Sequence, residues 1–117
     1  MSADLDPAAL ARLERLGGPP FATRMVDLFL RQAPPKVAAL RAALNARDAD
    51  AVAYWAHGLI SGSNNLGATR VWELVRQIEA AALAGRWEPL PTLVDTLEPA
   101  FEAVRVGLAA ELERRRA

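Results

Sequence analysis

The chain has 117 residues, 52% of them apolar and 24% charged, a balance that suits one globular core rather than a disordered segment. Lys plus Arg and Asp plus Glu both number 14, so there is no bulk basic field to draw in nucleic acid and no polybasic tail to hold a membrane surface. The lack of cysteine excludes disulfides, thiol nucleophiles and thiolate-bound metals.

The opening MSADLDPAAL carries acidic residues where a signal peptide needs a basic flank and an apolar run. No apolar stretch nears the roughly 18 residues of a membrane span, so a soluble, cytoplasmic protein is expected. A first helix is predicted over 7–16, with Asp6 as N-cap, Pro7 at the first helical position and Gly17-Gly18 closing it. A second runs over 20–45, with Phe21, Met25, Leu28, Phe29, Val37, Leu40 and Leu44 at helical spacing. Pro34-Pro35 should kink or break it.

A third helix follows Asp48, an N-cap candidate, and reaches about residue 66, where Gly67 ends it. A fourth spans 69–83 and closes at Gly85. The fifth spans 90–116 with Leu90, Leu93, Leu97, Phe101, Val104, Leu108 and Leu112 as a bundle seam, and Pro99 predicts a bend. Arg114-Arg115-Arg116 complements the dipole at its C-terminal end. No period-two alternation or hairpin signal suggests a strand. Short connections make successive helices antiparallel. The expected fold is all-α: an antiparallel up-down four-helix bundle with a short additional N-terminal helix, one domain over 1–117 with an ordered core of about 5–115.

The segment AHGLISGSNNLGA, residues 56–68, holds the only histidine. On a helical wheel Val52, Trp55, Ala56, Leu59, Ser63 and Leu66 lie within about 60° of Val52 and form a buried stripe. His57 lies about 140° from Val52, on the solvent side. Ala53, Tyr54, Ile60 and Ser61 are one turn away, and Asn64 is two turns on. A solvent-facing histidine is commonly an ordinary surface residue, and that reading stands beside any functional one.

Chemistry narrows the functional readings. No strained turn presents Ser2, Ser61 or Ser63 as a triad nucleophile, and no orienting acid accompanies one. One histidine without cysteines or paired Glu-x-x-His motifs does not make a zinc or di-metal site. Gly17-Gly18 lacks the lysine of a phosphate-binding loop. What survives is a histidine that serves as nucleophile for a partner bringing the rest of an active site.

The same segment resembles the signature of histidine-containing phosphotransfer (HPt) domains, commonly Ala-His-x-Leu-Lys-Gly-Ser-Ser-x-x-Leu-Gly-Ala. Ala56, His57, Leu59, Ser63, Leu66, Gly67 and Ala68 match it. LDPAALARLERLGG, FATRMVDLFLRQAPPKVAALRAAL and EAAALAG keep the family's order around it. The resemblance implies a phosphocarrier, not an enzyme: His57 takes a phosphoryl group from a receiver-domain aspartyl phosphate and passes it to another receiver. The implied partners are a response-regulator receiver domain, a hybrid sensor histidine kinase, or both. Mg²⁺ would sit in the receiver, leaving this chain no metal or cofactor of its own. Such a carrier is expected to be a monomer, without nucleic acid or membrane insertion. Small residues beside the ring let a partner bring its phosphate into line. The attacking nitrogen must be unprotonated, as an exposed imidazole largely is at neutral pH.

Two departures stand out. Ile60 replaces the family lysine one turn from the imidazole, and Ser61 replaces a glycine. Ile60 cannot offset phosphoryl charge, whereas the Ser61 hydroxyl can donate to a phosphoryl oxygen. Gly62 would restore room beside the ring. Arg24, Lys36, Arg70 and Arg76 are candidate compensating cations. Tyr54, Ile60, Ser61 and Asn64 are the candidate contacts for a partner or a phosphoryl group. Asn64 and Asn65 also suit a helix-end turn, and Trp55 and Trp72 suit core or bundle-end packing. The alternative function is an HPt-like adaptor that docks receivers or kinases and transfers phosphate poorly. Dimerisation through the His57 face is a third reading.

Overall fold

The computed structural model describes residues 5–117; residues 1–4, with Ser2 and the start of the acidic opening, lie outside the described residues. Asp6 starts the first helix as expected, its carboxylate accepting the Ala8 N–H at 3.0 Å ahead of Pro7. That helix, α1, is Pro7–Gly17. α2 is Pro19–Asn45 and runs unbroken through Pro34 and Pro35. The two prolines remove only the N–H donors for the carbonyls of Leu30 and Arg31. α5 is Thr69–Leu83, and α6 is Leu90–Arg116, continuous through Pro99.

The third helix departs from the expectation. It divides into α3, Ala49–His57, and α4, Ile60–Asn65, with the interruption directly after the histidine. There the Leu59 N–H bonds three residues back, to the Ala56 carbonyl at 3.0 Å, and the wider ladder resumes with Ser63 to Leu59. Gly58, with little helix preference of its own, sits in the tightened turn. Asp48 caps α3 as expected, accepting the Ala51 N–H at 3.1 Å.

α2, α3, α5 and α6 pack in a closed ring, each against two others, while α1 lies on α2 and α4 on α5. The result is an all-helical bundle of 44 × 22 × 22 Å, with α1 as the extra N-terminal helix and no strand among the described residues. Leu40, Leu59, Leu66, Ile78, Leu90, Leu97 and Leu108 fill its axis, fully buried. The α6 seam matches the spacing, except that Val94 takes the inner position and Leu93 is half-buried. On α2 the seam rotates: Ala22, Val26 and Ala33 go inside, while Phe21, Met25 and Leu28 remain half-buried.

Close contacts hold the histidine segment in place. A Cβ on Gly62 would stand 2.9 Å from Cδ1 of Phe29, so the missing side chain lets α2 lie directly against α4. Gly62 therefore serves the core and not, as its place in the motif suggests, the space beside the imidazole. Gly67, at φ 71°, accepts the Asp6 N–H at 2.8 Å and ties the start of α1 to the end of α4. On the opposite flank Arg41 of α2 clasps Glu98 at 2.6 and 3.0 Å and Asp95 at 2.6 Å. Glu98 and then Asp95 push the guanidinium pKa above its already high ordinary value, so this clasp stays charged.

Candidate functional site: an exposed histidine at a helix interruption

The wheel stripe is correct where it matters. Val52, Ala56, Leu59, Ser63 and Leu66 are buried and Trp55 half-buried, which turns His57 outward with its side chain 74% exposed. Ala53, placed by the wheel beside the imidazole, is buried instead because α3 packs against both α2 and α5. Ser63 is fully buried, its hydroxyl donating to the Leu59 carbonyl at 2.7 Å, and is unavailable as a nucleophile.

Sequence spacing did not reveal the acid that orients the ring. Glu79 of α5 brings Oε2 to 2.7 Å from His57 Nδ1. An ionised carboxylate only accepts, so Nδ1 carries the proton and donates it. Nε2 is left with its lone pair, on the ring edge turned away from Glu79. Glu79 is held by the α3–α5 contact, its side chain only 23% exposed. The carboxylate thus fixes both the tautomer and the direction of the reactive nitrogen. The signal was available only in the helical register: Glu79 follows the buried Val75 and Ile78 and sits at the margin of that stripe.

Tyr54, one turn before His57, is 68% exposed and meets the Trp55 ring edge-on at 4.9 Å. Leu83, one turn beyond Glu79, is 71% exposed. α3 and α5 are antiparallel, so these two apolar side chains lie at the same side of the His57–Glu79 pair and form an apolar rim. Leu83 was missed because it ends a helix, where apolar residues carry no periodic signal.

Downstream, the interruption rearranges the expected contacts. Ile60 turns partly inward against the core, and Ser61 is exposed in a groove between α2 and α4. Asn64 is exposed but outside that groove, while Asn65 lines it with Gln32 and Lys36. Of the four candidate cations, Lys36 reaches the site, its Nζ donating to the Gly58 carbonyl at 3.1 Å. Arg76 is spent over the Trp72 ring at 4.5 Å, which also accounts for that half-buried tryptophan. Arg24 belongs to a separate depression with Asp27, Arg115 and Arg116, and Arg70 is exposed on the first turn of α5.

The arrangement offers one oriented nucleophile, an acceptor for the proton on its Nδ1 and open space in front. Among the described residues no three His, Asp or Glu side chains converge to hold a metal ion, and no helix is long and apolar enough to cross a membrane.

Comparison with known proteins adds to this geometry. A family model described as Hpt domain matches residues 24–116. The crystal structure of histidine-containing phosphotransfer protein B (HptB) from Pseudomonas aeruginosa PAO1 is similar, with a TM-score of 0.89 and 29% sequence identity. The match covers 97% of this chain and 98% of that one. No curated protein sequence matches.

Proposed function

The chain belongs to the Hpt domain family, the histidine phosphotransfer proteins of phosphorelays, and on that footing we propose that His57 is its phosphoacceptor. The observation that carries the reading is the His57–Glu79 contact, which makes Nδ1 the donor, so that in the neutral ring the lone pair belongs to Nε2, on an exposed side chain. In the forward step the Nε2 lone pair attacks the phosphorus of a receiver aspartyl phosphate. The P–O bond to the aspartate breaks, the carboxylate leaves, and a P–Nε2 bond forms. The imidazole then holds a proton on Nδ1 and a phosphoryl group on Nε2, and the positive charge that develops on the ring is met by the Glu79 carboxylate. The reverse step returns the phosphoryl group to another receiver's aspartate and restores the neutral ring.

This chemistry needs a rigid, accessible nucleophile and little else from the bundle. The partner receiver would supply Mg²⁺ and the acidic pocket, so the protein acts as a phosphocarrier and not as a self-sufficient enzyme; a cytoplasmic monomer is the form this proposal assigns it. Residues 1–117 act as one HPt domain. Tyr54 and Leu83 form the apolar rim of the docking face, with Ser61 and Asn64 as polar contacts beyond the interruption. The partner that meets this face is a response-regulator receiver domain, a hybrid sensor histidine kinase, or both.

A second reading, an adaptor that docks receivers but transfers poorly, is favoured by one observation: Ile60 is apolar and turned partly into the core, giving no charge to the phosphoryl group. Incubation with a phosphorylated receiver and Mg²⁺ separates the two. Acid-labile label on wild type and none on His57→Ala is expected. Absence of label on both, with receiver binding retained, would leave the adaptor.

A further inference from the structure

We propose that Lys36, on α2, is the cation that meets the phosphoryl group carried by His57. The inference rests on the carrier reading and goes beyond it by assigning a residue from outside the histidine segment.

A phosphoryl group on Nε2 brings roughly two negative charges to a ring whose other nitrogen already faces a carboxylate. On α5 the guanidinium of Arg76, one turn from Glu79, lies over the Trp72 ring at 4.5 Å, and Arg70 stands nine residues before Glu79, on the first turn. α4, whose six residues are ISGSNN, brings no positive charge at all. α2 is the remaining neighbour of α3, and it sends in Lys36. The lysine stem runs beside Gly58, with Cδ 3.6 Å from where a Cβ would stand, and the ammonium ends on the carbonyl of the residue next to His57.

The interruption makes this possible. Across it no backbone N–H is bonded to the Gly58 carbonyl, which takes the lysine instead. A helix continued through this point would have occupied that oxygen with an N–H four residues on. An ammonium has three donors, so one bond to the carbonyl leaves two for phosphoryl oxygens. The choice of side chain supports the same conclusion. Of fourteen basic residues, thirteen are arginine and Lys36 is the sole lysine. A compact point charge on a flexible stem can stay on the carbonyl and turn to the phosphate, which a rigid planar fork does less readily.

Phosphoramidate tests this without any partner protein. Its P–N bond breaks, ammonia leaves, and a P–Nε2 bond forms on His57. The labelling rate is compared among wild type, Lys36→Met, Lys36→Arg and the double variant Lys36→Met/Ile60→Lys. Lys36→Met keeps the stem and is expected to label about fivefold more slowly, the scale of one exposed charge pair. Lys36→Arg, which keeps the charge but not the compact ammonium, should recover part of the rate, and the double variant most of it. In parallel the side-chain ¹⁵Nζ resonance, a single signal in this protein, should move when His57 is phosphorylated. Labelling of Lys36→Met at the wild-type rate with an unmoved ¹⁵Nζ signal would overturn the proposal and leave Lys36 a clamp on the Gly58 carbonyl, visible only as a lowered melting temperature. No label on wild type would instead overturn the carrier reading, and this assignment with it.

Discussion

Glu79 and His57, 22 positions apart in sequence, meet at 2.7 Å across the seam of α3 and α5, and the carboxylate decides which ring nitrogen is free. Glu79→Gln keeps an acceptor of similar shape but removes the charge that meets the imidazolium. A charge-assisted bond exceeds a neutral one by about 1 kcal/mol, so phosphoryl transfer from a receiver should slow about fivefold. Glu79→Ala should slow it about tenfold or more and let both tautomers populate, readable in the imidazole ¹⁵N shifts. Unchanged transfer in both variants would remove Glu79 from the mechanism.

The contact between Gly62 and Phe29 predicts a stability effect separate from chemistry. Gly62→Ala gains about 1 kcal/mol of helix preference but drives a methyl to 2.9 Å from a ring atom that cannot swing away. Overpacking of this kind costs about 1–3 kcal/mol, so the net should be destabilising by about 1 kcal/mol. Urea unfolding measures it, and Phe29→Leu in the same chain should return the lost stability.

Gly58 predicts the opposite sign. Its backbone lies at φ −63° and ψ −14°, and an added Cβ meets nothing nearer than 3.5 Å. Gly58→Ala should raise stability by about 0.5–1 kcal/mol, through reduced freedom of the unfolded chain. A fall in the urea midpoint would show that the turn after His57 needs glycine for a reason its dihedral angles do not reveal.

At the far end, Glu111 of α6 predicts a pH dependence. Burial pushes its carboxyl pKa up, but the bonds and charges of Arg114 and Arg115 outweigh burial and hold it below the ordinary value. Arg115 also reaches Glu14 of α1 at 3.0 Å, so the cluster joins the two helices. Because the folded pKa is lowered, the unfolded chain binds the proton first as pH falls. The stabilisation is complete above the ordinary carboxylate pKa of about 4.3 and drains away as pH drops through the lower folded value. Melting temperatures of wild type and Glu111→Gln should differ most near pH 7 and converge in acid.

Much of this protein is legible in its sequence. The caps at Asp6 and Asp48, the α6 seam and the outward turn of His57 follow from spacing and local chemistry, which act within a helix. What stayed hidden depends on neighbours brought together by packing. Glu79, Lys36 and Phe29 each lie on a helix other than the one they serve, and periodicity carries no information about such pairs. The interruption at Gly58–Leu59 was invisible for another reason. A lone glycine is tolerated inside many helices, and both residues keep right-handed angles, so only the hydrogen-bond ladder betrays it. Where the ladder slips, Ile60 turns partly into the core instead of standing beside the imidazole, although Ser63 and Leu66 stay buried and Asn64 exposed as the wheel from Val52 has them.

The solitary lysine also bears on how this molecule can be handled at the bench. Apart from the α-amino group, the one amine available to succinimidyl esters, aldehydes or activated chip surfaces sits beside Gly58, next to the histidine. Amine coupling would therefore not sample orientations at random: a lysine-tethered molecule would press its docking face against the support. A bait prepared that way would give silence where a partner exists, while attachment through the arginine-rich end of α6 would leave the histidine facing the solution.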